Sequence, residues 1–411
     1  MIKKYLSNSI FLFLSTLLLR GFVFFVNVIV ARYSSQEIYG QFSFLRSTIN
    51  LVETTISSAI NPKIIKETSI RVDDQEFQKI ILYISILISL FIGIIAAIFS
   101  NKISEISIGT SDNVLIYSSI VLLSITMVNG AFISLHIGIN KLFNIFISSL
   151  ISIILSLPFS VYMIESFSII GAVLSMAGFQ FIDLLIKFKY SKIFKNTKNE
   201  NGNLVNKIMK VINTFKVSSI ILLGASIINA VVFWWVRLFM SELPNGFSVI
   251  AKFDTAFQFI LLEMLVMNTL VSVLIPDLVV RDYTERQNIR RLLKITFGAI
   301  VVSATMSFSV HLLADYLIML FGHKFTSETL KTMTIIPIVY SVALLCNRYM
   351  VVIDKVRPLL FVSMLSALFM IFYVLFYVEG DMDIASAFSL YYFVSICVYQ
   401  IYLLRIYVNH K

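Results

Sequence analysis

The chain has 411 residues, of which 58% are hydrophobic and only 14% are charged. A soluble globular chain carries about 25% charged residues, so the composition excludes that class. The formal net charge is +10, and the distribution of basic residues described below explains it without a nucleic-acid partner.

Apolar runs long enough to cross a bilayer recur along the whole chain. About 20 such residues span the hydrocarbon core, and continuous hydrophobicity favours helices over the alternating pattern of a β-barrel. The predicted fold class is therefore an all-α polytopic membrane protein. We predict twelve transmembrane helices at about residues 8–31, 38–60, 79–100, 114–136, 143–163, 168–190, 216–238, 248–274, 292–312, 328–348, 358–378 and 384–406.

The first span, FLFLSTLLLRGFVFFVNVIVARY at 11–33, carries Arg20 near its middle. A rise of 1.5 Å per residue places Arg20 about 16 Å from the start of the span. Snorkelling works best near helix ends, and a central arginine costs about 2.5–3.5 kcal/mol on insertion scales. We expect Arg20 to face a hydrated interior and bind an anionic ligand. The alternative is a structural ion pair with a carboxylate of another span.

The second span follows YGQFSFLR (39–46) and carries Arg46 near one end. Glu53 lies seven residues later, two helical turns away on the same face. We expect Arg46 to join Arg20 in binding an anion. Glu53 is a candidate for taking up a proton or a sodium ion, because protonation or pairing offsets the cost of burying a carboxylate. Snorkelling of Arg46 and a static salt bridge of Glu53 are the alternatives.

The eighth span repeats this arrangement after NGFSVIAK (245–252). Lys252 follows a glycine by six residues, as Arg46 does, and Glu263 lies eleven residues further, close to three turns. We expect Lys252 to be the third anion-binding residue, and Glu263 and Asp254 to be further ion-coupling candidates. The same two alternatives apply to them.

Self-similarity between the halves of the chain predicts two lobes of six spans each. With a shift of 214 residues, IGINKLFNIFISSLIS (137–152) aligns with VVIDKVRPLLFVSMLS (351–366). We predict an N-terminal lobe at 1–190 and a C-terminal lobe at 216–411. The Lys-rich segment 191–215 between them is predicted to be a cytoplasmic linker, either solvated or an amphipathic helix on the membrane surface.

Basic residues predict the orientation of the chain. Twenty-five lysines and arginines fall in one set of alternate loops and at the termini, and four fall in the opposite set. The positive-inside rule then places both termini in the cytoplasm.

Signatures of enzymes and metal sites are missing from the sequence. No Walker motif occurs, the four histidines are scattered without ligand spacing, and the two cysteines lie in apolar spans. We predict no catalytic residue, no metal site and no cofactor.

The segments ARYSSQEIYGQFSFLRS (31–47) and YLIMLFGHKFTSETLKTMTIIPIVYS (316–341), with the two six-span halves, resemble the polysaccharide-biosynthesis flippases. These are the O-antigen and capsule repeat-unit translocases of the multidrug/oligosaccharidyl-lipid/polysaccharide (MOP) exporter superfamily. The resemblance covers nearly the whole chain. Twelve spans match the repeat-unit flippases better than the fourteen expected of the peptidoglycan-precursor branch.

The resemblance implies two pseudo-symmetric lobes with a central cavity in a bacterial inner membrane. It implies alternating access that moves an undecaprenyl-diphosphate-linked oligosaccharide to the outer leaflet, with or without coupling to H+ or Na+. Polysaccharide polymerase and chain-length machinery are the partners that it suggests. Family members place cations of spans 1, 2, 7 and 8 in the cavity. Arg20, Arg46 and Lys252 match these positions, whereas span 7 offers only Arg237 at its outer end.

Three other classes remain open on the sequence alone. One is a purely structural membrane scaffold, which would not account for the paired intramembrane charges in both halves. A drug or cation antiporter of the same superfamily would bind its cargo through Glu53, Glu263 and Asp254. A membrane polysaccharide polymerase or ligase would display catalytic residues on outer loops, and the loops here are short.

Overall fold

The computed structural model describes residues 2–72, 74–108, 113–191, 217–278, 285–353, 355 and 357–409. Within these ranges every regular element is a helix, and no strand occurs. The predicted all-α class is confirmed. The predicted Lys-rich linker, 191–215, lies outside the described residues except for its first residue.

The first half of the chain forms six helices. They are α1 (Ile2–Tyr33), α2 (Gln36–Ile70), α3 (Gln75–Ile98), the short α4 (Ser100–Ile108), α5 (Asn113–Gly138) and α6 (Leu142–Ser191).

Helix α6 contains two predicted spans, 143–163 and 168–190, on either side of a break at Ser168. This residue has φ 51° and ψ −123°, outside the helical region. Shortly after it, a Cβ on Gly171 would lie 1.9 Å from the carbonyl oxygen of Met163. Residues eight apart in a straight helix are separated by about 12 Å. The chain therefore folds back here, and glycine permits the close approach.

The second half forms seven described helices. They are α7 (Val217–Glu242), α8 (Gly246–Leu278), α9 (Glu285–Met319), the short α10 (Glu328–Met333), α11 (Ile336–Val352), α12 (Arg357–Tyr377) and α13 (Asp381–Asn409).

The helices have the dimensions of membrane spans. Nine helical segments in the described part of the chain are long and apolar enough to cross a bilayer. Helices α2 and α8, which carry most of the predicted site residues, are not among these nine. They are 35 and 33 residues long, more than the about 20 residues that a span requires. With α6 crossing twice, the helices agree with the twelve predicted spans.

The chain divides into two compact units. Unit 1 comprises Met1–Ser35 and Phe44–Leu223, and unit 2 comprises Gln36–Ser43 and Gly224–Lys411. The sequence assigned the short segment Gln36–Ser43 to the N-terminal lobe, whereas in the structure it packs within unit 2.

Buried serines allow close helix packing in unit 1. Ser148, Ser152, Ser156 and Ser160 recur at every fourth residue of α6 and are all buried. Ser152 and Ser160 donate to the carbonyl four residues earlier at 2.7 Å. Such bonds satisfy the hydroxyl inside the helix, and small residues let neighbouring helices approach closely.

Aromatic rings fill much of the core of unit 2. Phe253 and Phe257 of α8 pack on Phe388 of α13 at centroid distances of 5.2 and 5.4 Å, and Phe233 of α7 stacks on Phe388 at 4.9 Å. These rings lock α7, α8 and α13 together and fix the side chains that project between them.

Candidate functional site

The structure brings three predicted site residues together in unit 1. Arg20 of α1 is exposed, Arg46 of α2 is 8% exposed, and Glu53 of α2 is half-buried. The Glu53 carboxylate interacts electrostatically with both guanidinium groups. Arg20 on α1 and Glu53 on α2 are therefore within electrostatic range of each other. We call these three residues the unit 1 charge cluster.

Counted over its three side chains alone, the cluster has an excess of positive charge. Two guanidinium groups are always ionised, and one carboxylate can neutralise at most one of them. Guanidinium presents its donors in a planar fork that matches the oxygens of a phosphate or carboxylate. The cluster is therefore suited to an anion with several oxygens.

Lys252, the third predicted cation, belongs to unit 2. Its side chain is half-buried on α8, and it forms no ion pair or hydrogen bond with any residue that the structure describes. Among the described residues, no carboxylate neutralises the charge of Lys252. That the three cations form one site in a cavity stays a prediction.

Asp254 forms a closed ion pair with Arg237. Arg237 Nη2 and Nε donate to the two carboxylate oxygens at 2.7 and 3.3 Å, and Nη1 donates to the carbonyl of Phe233 at 3.1 Å. Its guanidinium also lies 5.5 and 5.7 Å from the ring centres of Phe253 and Phe257. This geometry is typical of a strong, bidentate pair. It argues against Asp254 as an independent coupling group.

Sequence reasoning missed this pair, although a signal for it exists. Helix α7 ends at Glu242 and α8 begins at Gly246. Arg237 lies five residues before the end of the first helix and Asp254 eight residues after the start of the second, so an antiparallel helix pair brings them to neighbouring levels.

Glu263 lies in a very different environment from Asp254. It is 3% exposed, and its Oε2 accepts a hydrogen bond from Ser307 Oγ of α9 at 2.7 Å. Its Oε1 has no hydrogen-bond partner among the described residues. An ionised carboxylate without a cation is expensive to bury, so this site favours a form of Glu263 that has taken up a proton or a cation.

A second buried charge pair lies in unit 1, between α5 and α6. Lys187 Nζ bonds the Asp183 carboxylate, and it also donates to Asn129 Oδ1 at 3.0 Å. Asn129 Nδ2 donates to Asp183 Oδ2 at 2.9 Å and to Gln180 Oε1 at 2.5 Å. The spacing of four residues between Asp183 and Lys187 indicates this pair in the sequence. These bonds join the four side chains in one network, in which Asp183 Oδ1 is the only buried polar atom that lacks a partner among the described residues, and such a network points to a structural role.

The described residues hold no group of three or more histidine, cysteine, aspartate and glutamate side chains that could bind a metal ion.

No protein-family model matches the chain, and no curated protein matches it. Its fold, in contrast, is shared by many solved structures.

One similar structure is the outward-facing conformation of a multidrug resistance MATE family transporter of the MOP superfamily. It aligns with a TM-score of 0.67 and 12% identity over 99% of this chain and 96% of its own. Another is a MOP superfamily transporter from Pyrococcus furiosus, with a TM-score of 0.65, 13% identity, and coverage of 100% and 96%.

A third similar structure is the lipid II flippase MurJ in an inward closed conformation. Its TM-score is 0.69 and its identity 17%, over 97% of this chain and 90% of its own. At such identities the likeness establishes the fold alone. The chain therefore folds as the MATE transporters and the lipid II flippase of the MOP superfamily do.

Proposed function

We propose that the chain is a flippase that moves an undecaprenyl-diphosphate-linked oligosaccharide from the cytoplasmic to the outer leaflet of a bacterial inner membrane. The observation that carries this proposal is the unit 1 charge cluster of Arg20, Arg46 and Glu53, with its excess of positive charge. One structural neighbour is a flippase for lipid II, which supports a lipid as the cargo.

The position of Arg20 along its helix fits this role. It lies ten residues into the candidate span Ile10–Tyr33, about 15 Å from the first residue of that span. This is close to half of a hydrocarbon core about 30 Å thick. Placing a cation at this depth costs free energy unless it faces water or an anion. A hydrated diphosphate in transit would provide both.

The physical task of a flippase explains why the cations are fixed in place. A diphosphate is strongly hydrated, and it cannot enter hydrocarbon without compensation for the lost water. Hydrogen bonds from guanidinium groups to phosphate oxygens replace part of that hydration. Arg20, Arg46 and Lys252 are the residues that we assign to this function. Exposure of the site to one side and then the other would complete the transfer.

Glu263 is the residue that we assign to ion coupling. Its unpartnered Oε1 and single hydrogen bond from Ser307 leave room for a proton or a sodium ion. Glu53 is not assigned to ion coupling in this proposal, because its charge interacts with those of Arg20 and Arg46.

The proposal is tested by reconstitution into liposomes that contain a fluorescent undecaprenyl-diphospho-N-acetylglucosamine. A membrane-impermeant quencher then reports how much lipid has moved between leaflets. We expect the wild-type protein to accelerate this movement. Arg20→Gln and Arg46→Gln should each slow it by about tenfold, since the loss of one charge-assisted hydrogen bond is worth about 1.5–3 kcal/mol and 1.4 kcal/mol is tenfold.

Arg290→Gln is the matched control, because Arg290 is an exposed arginine near the beginning of α9. Its rate should equal that of the wild type. The proposal is wrong if the wild-type protein moves no lipid, or if Arg20→Gln and Arg46→Gln both move it at the wild-type rate.

A drug or cation antiporter is the second candidate. The buried carboxylate of Glu263 favours it, as does the likeness in fold to multidrug transporters. Such a protein would carry tetraphenylphosphonium across the same liposomes. Glu263→Gln would abolish that transport, and Arg20→Gln would leave it unchanged.

A further inference from the structure

Five polar side chains of unit 2 meet at the junction of four helices. Asn229 belongs to α7, Asn268 to α8, Tyr340 to α11, and Tyr391 and Tyr392 to α13. We call these residues the tyrosine–amide cluster. Neither the anion-binding role of the cations nor the coupling role of Glu263 uses it.

Hydrogen bonds and ring contacts join the members of the cluster. Asn268 Nδ2 donates to Tyr340 Oη at 2.6 Å, and Tyr391 Oη donates to Asn229 Oδ1 at 2.5 Å. The ring of Tyr392 lies edge-on to those of Tyr340 and Tyr391, at 5.2 Å from each centroid. Tyr340 and Tyr391 both act electrostatically on Tyr392. The three phenols therefore converge on one place.

The cluster lies deep within its spans. Tyr392 is eleven residues into the candidate span Asp381–Leu403, and Asn229 is eight residues into Ile221–Glu242. These positions are about 16 and 12 Å along their helices. Tyrosines commonly anchor a membrane protein at the two interfaces, but that role does not explain tyrosines and amides at this depth.

Two groups of the cluster keep unused hydrogen-bonding capacity. Asn229 Nδ2 and Tyr392 Oη bond to no residue that the structure describes, and neither is among the buried atoms that lack a partner. Both residues are half-buried. Lipid tails could not satisfy these polar atoms. A polar ligand or water must do so.

The chemistry of the cluster fits a sugar ring. One face of a pyranose is lined by C–H groups and packs on an aromatic ring, and its hydroxyl groups both donate and accept hydrogen bonds. Phenol and amide groups offer both functions as well. Ligand sites generally combine aromatic walls with a few placed polar groups.

The charges around the cluster favour a neutral ligand over an organic cation. Asp254 of α8 forms an ion pair with Arg237. Arg237 Nη1 also donates a hydrogen bond to the carbonyl of Phe233. The ring of Phe233 lies 5.1 Å from that of Tyr391. The electrostatic effects on Tyr391 and Tyr392 come from other tyrosines. An organic cation bound at the cluster would lack a counter-charge, whereas a hydroxyl-rich sugar needs none.

We propose that the tyrosine–amide cluster binds the sugar portion of the carried lipid as a neutral, hydroxyl-rich ring, and that unit 2 thereby sets the preference among sugars. This inference rests on the proposed function, which it deepens by naming the part of the molecule that recognises the saccharide.

The test compares binding of lipids with and without a sugar to the full-length protein in nanodiscs. The probes are undecaprenyl diphosphate, undecaprenyl-diphospho-N-acetylglucosamine and undecaprenyl-diphospho-galactose. We expect the wild-type protein to bind at least one sugar-bearing lipid about tenfold more tightly than undecaprenyl diphosphate, a difference of about 1.4 kcal/mol. Asn229→Leu should abolish this sugar-dependent gain and leave the affinity for undecaprenyl diphosphate unchanged.

Tyr392→Phe is the second variant, because it keeps the ring and its packing while it removes the hydroxyl. It should reduce the sugar-dependent gain by about threefold, as expected for one neutral hydrogen bond. Tyr377→Phe, at an exposed tyrosine of α12, is the matched control and should bind all three lipids as the wild type does.

Three outcomes overturn the inference, and they are distinguishable. If the wild-type protein binds undecaprenyl diphosphate but gains nothing from either sugar, or if Asn229→Leu and Tyr392→Phe keep the gain, the cluster is not a sugar site and the proposed function stands. If no lipid binds, the proposed function fails as well. If tetraphenylphosphonium binds and Tyr392→Phe weakens it, the cluster is a cation site.

Discussion

Helices α2 and α8 both place a closely packed glycine near their first turn, a cation six residues later and a carboxylate deeper in the span. In α2 the carboxylate, Glu53, is half-buried and shares its surroundings with two arginines. In α8 the carboxylate, Glu263, is buried, and its only hydrogen bond to a described residue comes from Ser307.

The difference shows that one sequence pattern can serve two electrostatic purposes. Neighbouring helices decide which one: α1 brings Arg20 to α2, whereas α9 brings a neutral serine to α8. A positive cluster suits an anionic headgroup, and an uncompensated buried carboxylate suits a small cation. Repeats within a chain therefore need not have repeated functions. Variants at matched positions test this difference.

The largest effect is expected from the ion pair of α7 and α8. Arg237→Gln leaves Asp254 buried without a counter-charge, which typically costs about 3–5 kcal/mol of stability. Arg20→Gln should change stability by about 0.5 kcal/mol or less, because Arg20 is exposed. Thermal unfolding in nanodiscs, followed by the fluorescence of Trp234 and Trp235, measures both.

A double variant, Arg237→Gln with Asp254→Asn, is the control for this prediction. It removes both charges and should recover much of the lost stability. Equal loss of Tm in Arg20→Gln and Arg237→Gln would show that the arginine of unit 1 is also structural, and it would remove the distinction between the two helices.

A smaller effect is expected at the glycine of α2. A Cβ on Gly40 would lie 1.8 Å from the carbonyl oxygen of Phe247, so Gly40→Ala must separate two backbones and should cost about 1–3 kcal/mol. Gly298 of α9 has nothing within 4 Å of such a Cβ. Gly298→Ala should stabilise the protein by about 0.5–1 kcal/mol through helix propensity.

The Tm values of these two variants should therefore move in opposite directions. Equal shifts would mean that helix propensity alone governs both positions and that the contact between Gly40 and Phe247 is loose in the membrane.

Hydrophobicity and local spacing predict the helices and some of the charge pairs in this chain. Runs of about 20 apolar residues indicate the spans. The spacing of Asp183 and Lys187 indicates their pair, and the short turn before α8 indicates that of Arg237 and Asp254. Arg20 is conspicuous because a cation in the middle of an apolar run has no local explanation.

Contacts between residues far apart in the chain cannot be predicted from hydrophobicity or local spacing. Tyr391 and Asn229 are separated by 162 positions, and no periodicity links them. The assignment of Gln36–Ser43 to unit 2 also depends on tertiary packing, such as that of Tyr39 against Phe321 and Phe325. The sequence therefore predicts which residues are unusual better than it predicts what they contact.

The two carboxylates should give different results in a binding assay. Glu53→Gln removes the negative charge beside Arg20 and Arg46, and it should tighten binding of undecaprenyl diphosphate by about tenfold, or about 1.4 kcal/mol. Glu263→Gln should leave that affinity unchanged. In liposomes with an imposed pH or sodium gradient, Glu263→Gln should instead remove any dependence of lipid movement on the gradient.

Reversal of these results would exchange the roles of the two residues. Weaker lipid binding in Glu53→Gln would mean that Glu53 holds the arginines in position, and the simple excess of positive charge would no longer explain binding.

The smallest effect is expected at the serines of α9 beside α8. Ser307→Ala removes the hydrogen bond to Glu263 Oε2 and should cost about 1 kcal/mol. Ser303, one turn earlier on the same helix, is also buried, but its hydroxyl has no partner among the described residues. Ser303→Ala should therefore be neutral or slightly stabilising, because it removes an unsatisfied polar group.

Thermal unfolding with and without a saturating sodium concentration distinguishes the two serines. If sodium stabilises the wild type and Ser307→Ala equally but fails to stabilise Ser303→Ala, the free hydroxyl is itself an ion ligand, and the coupling site of α8 extends to it.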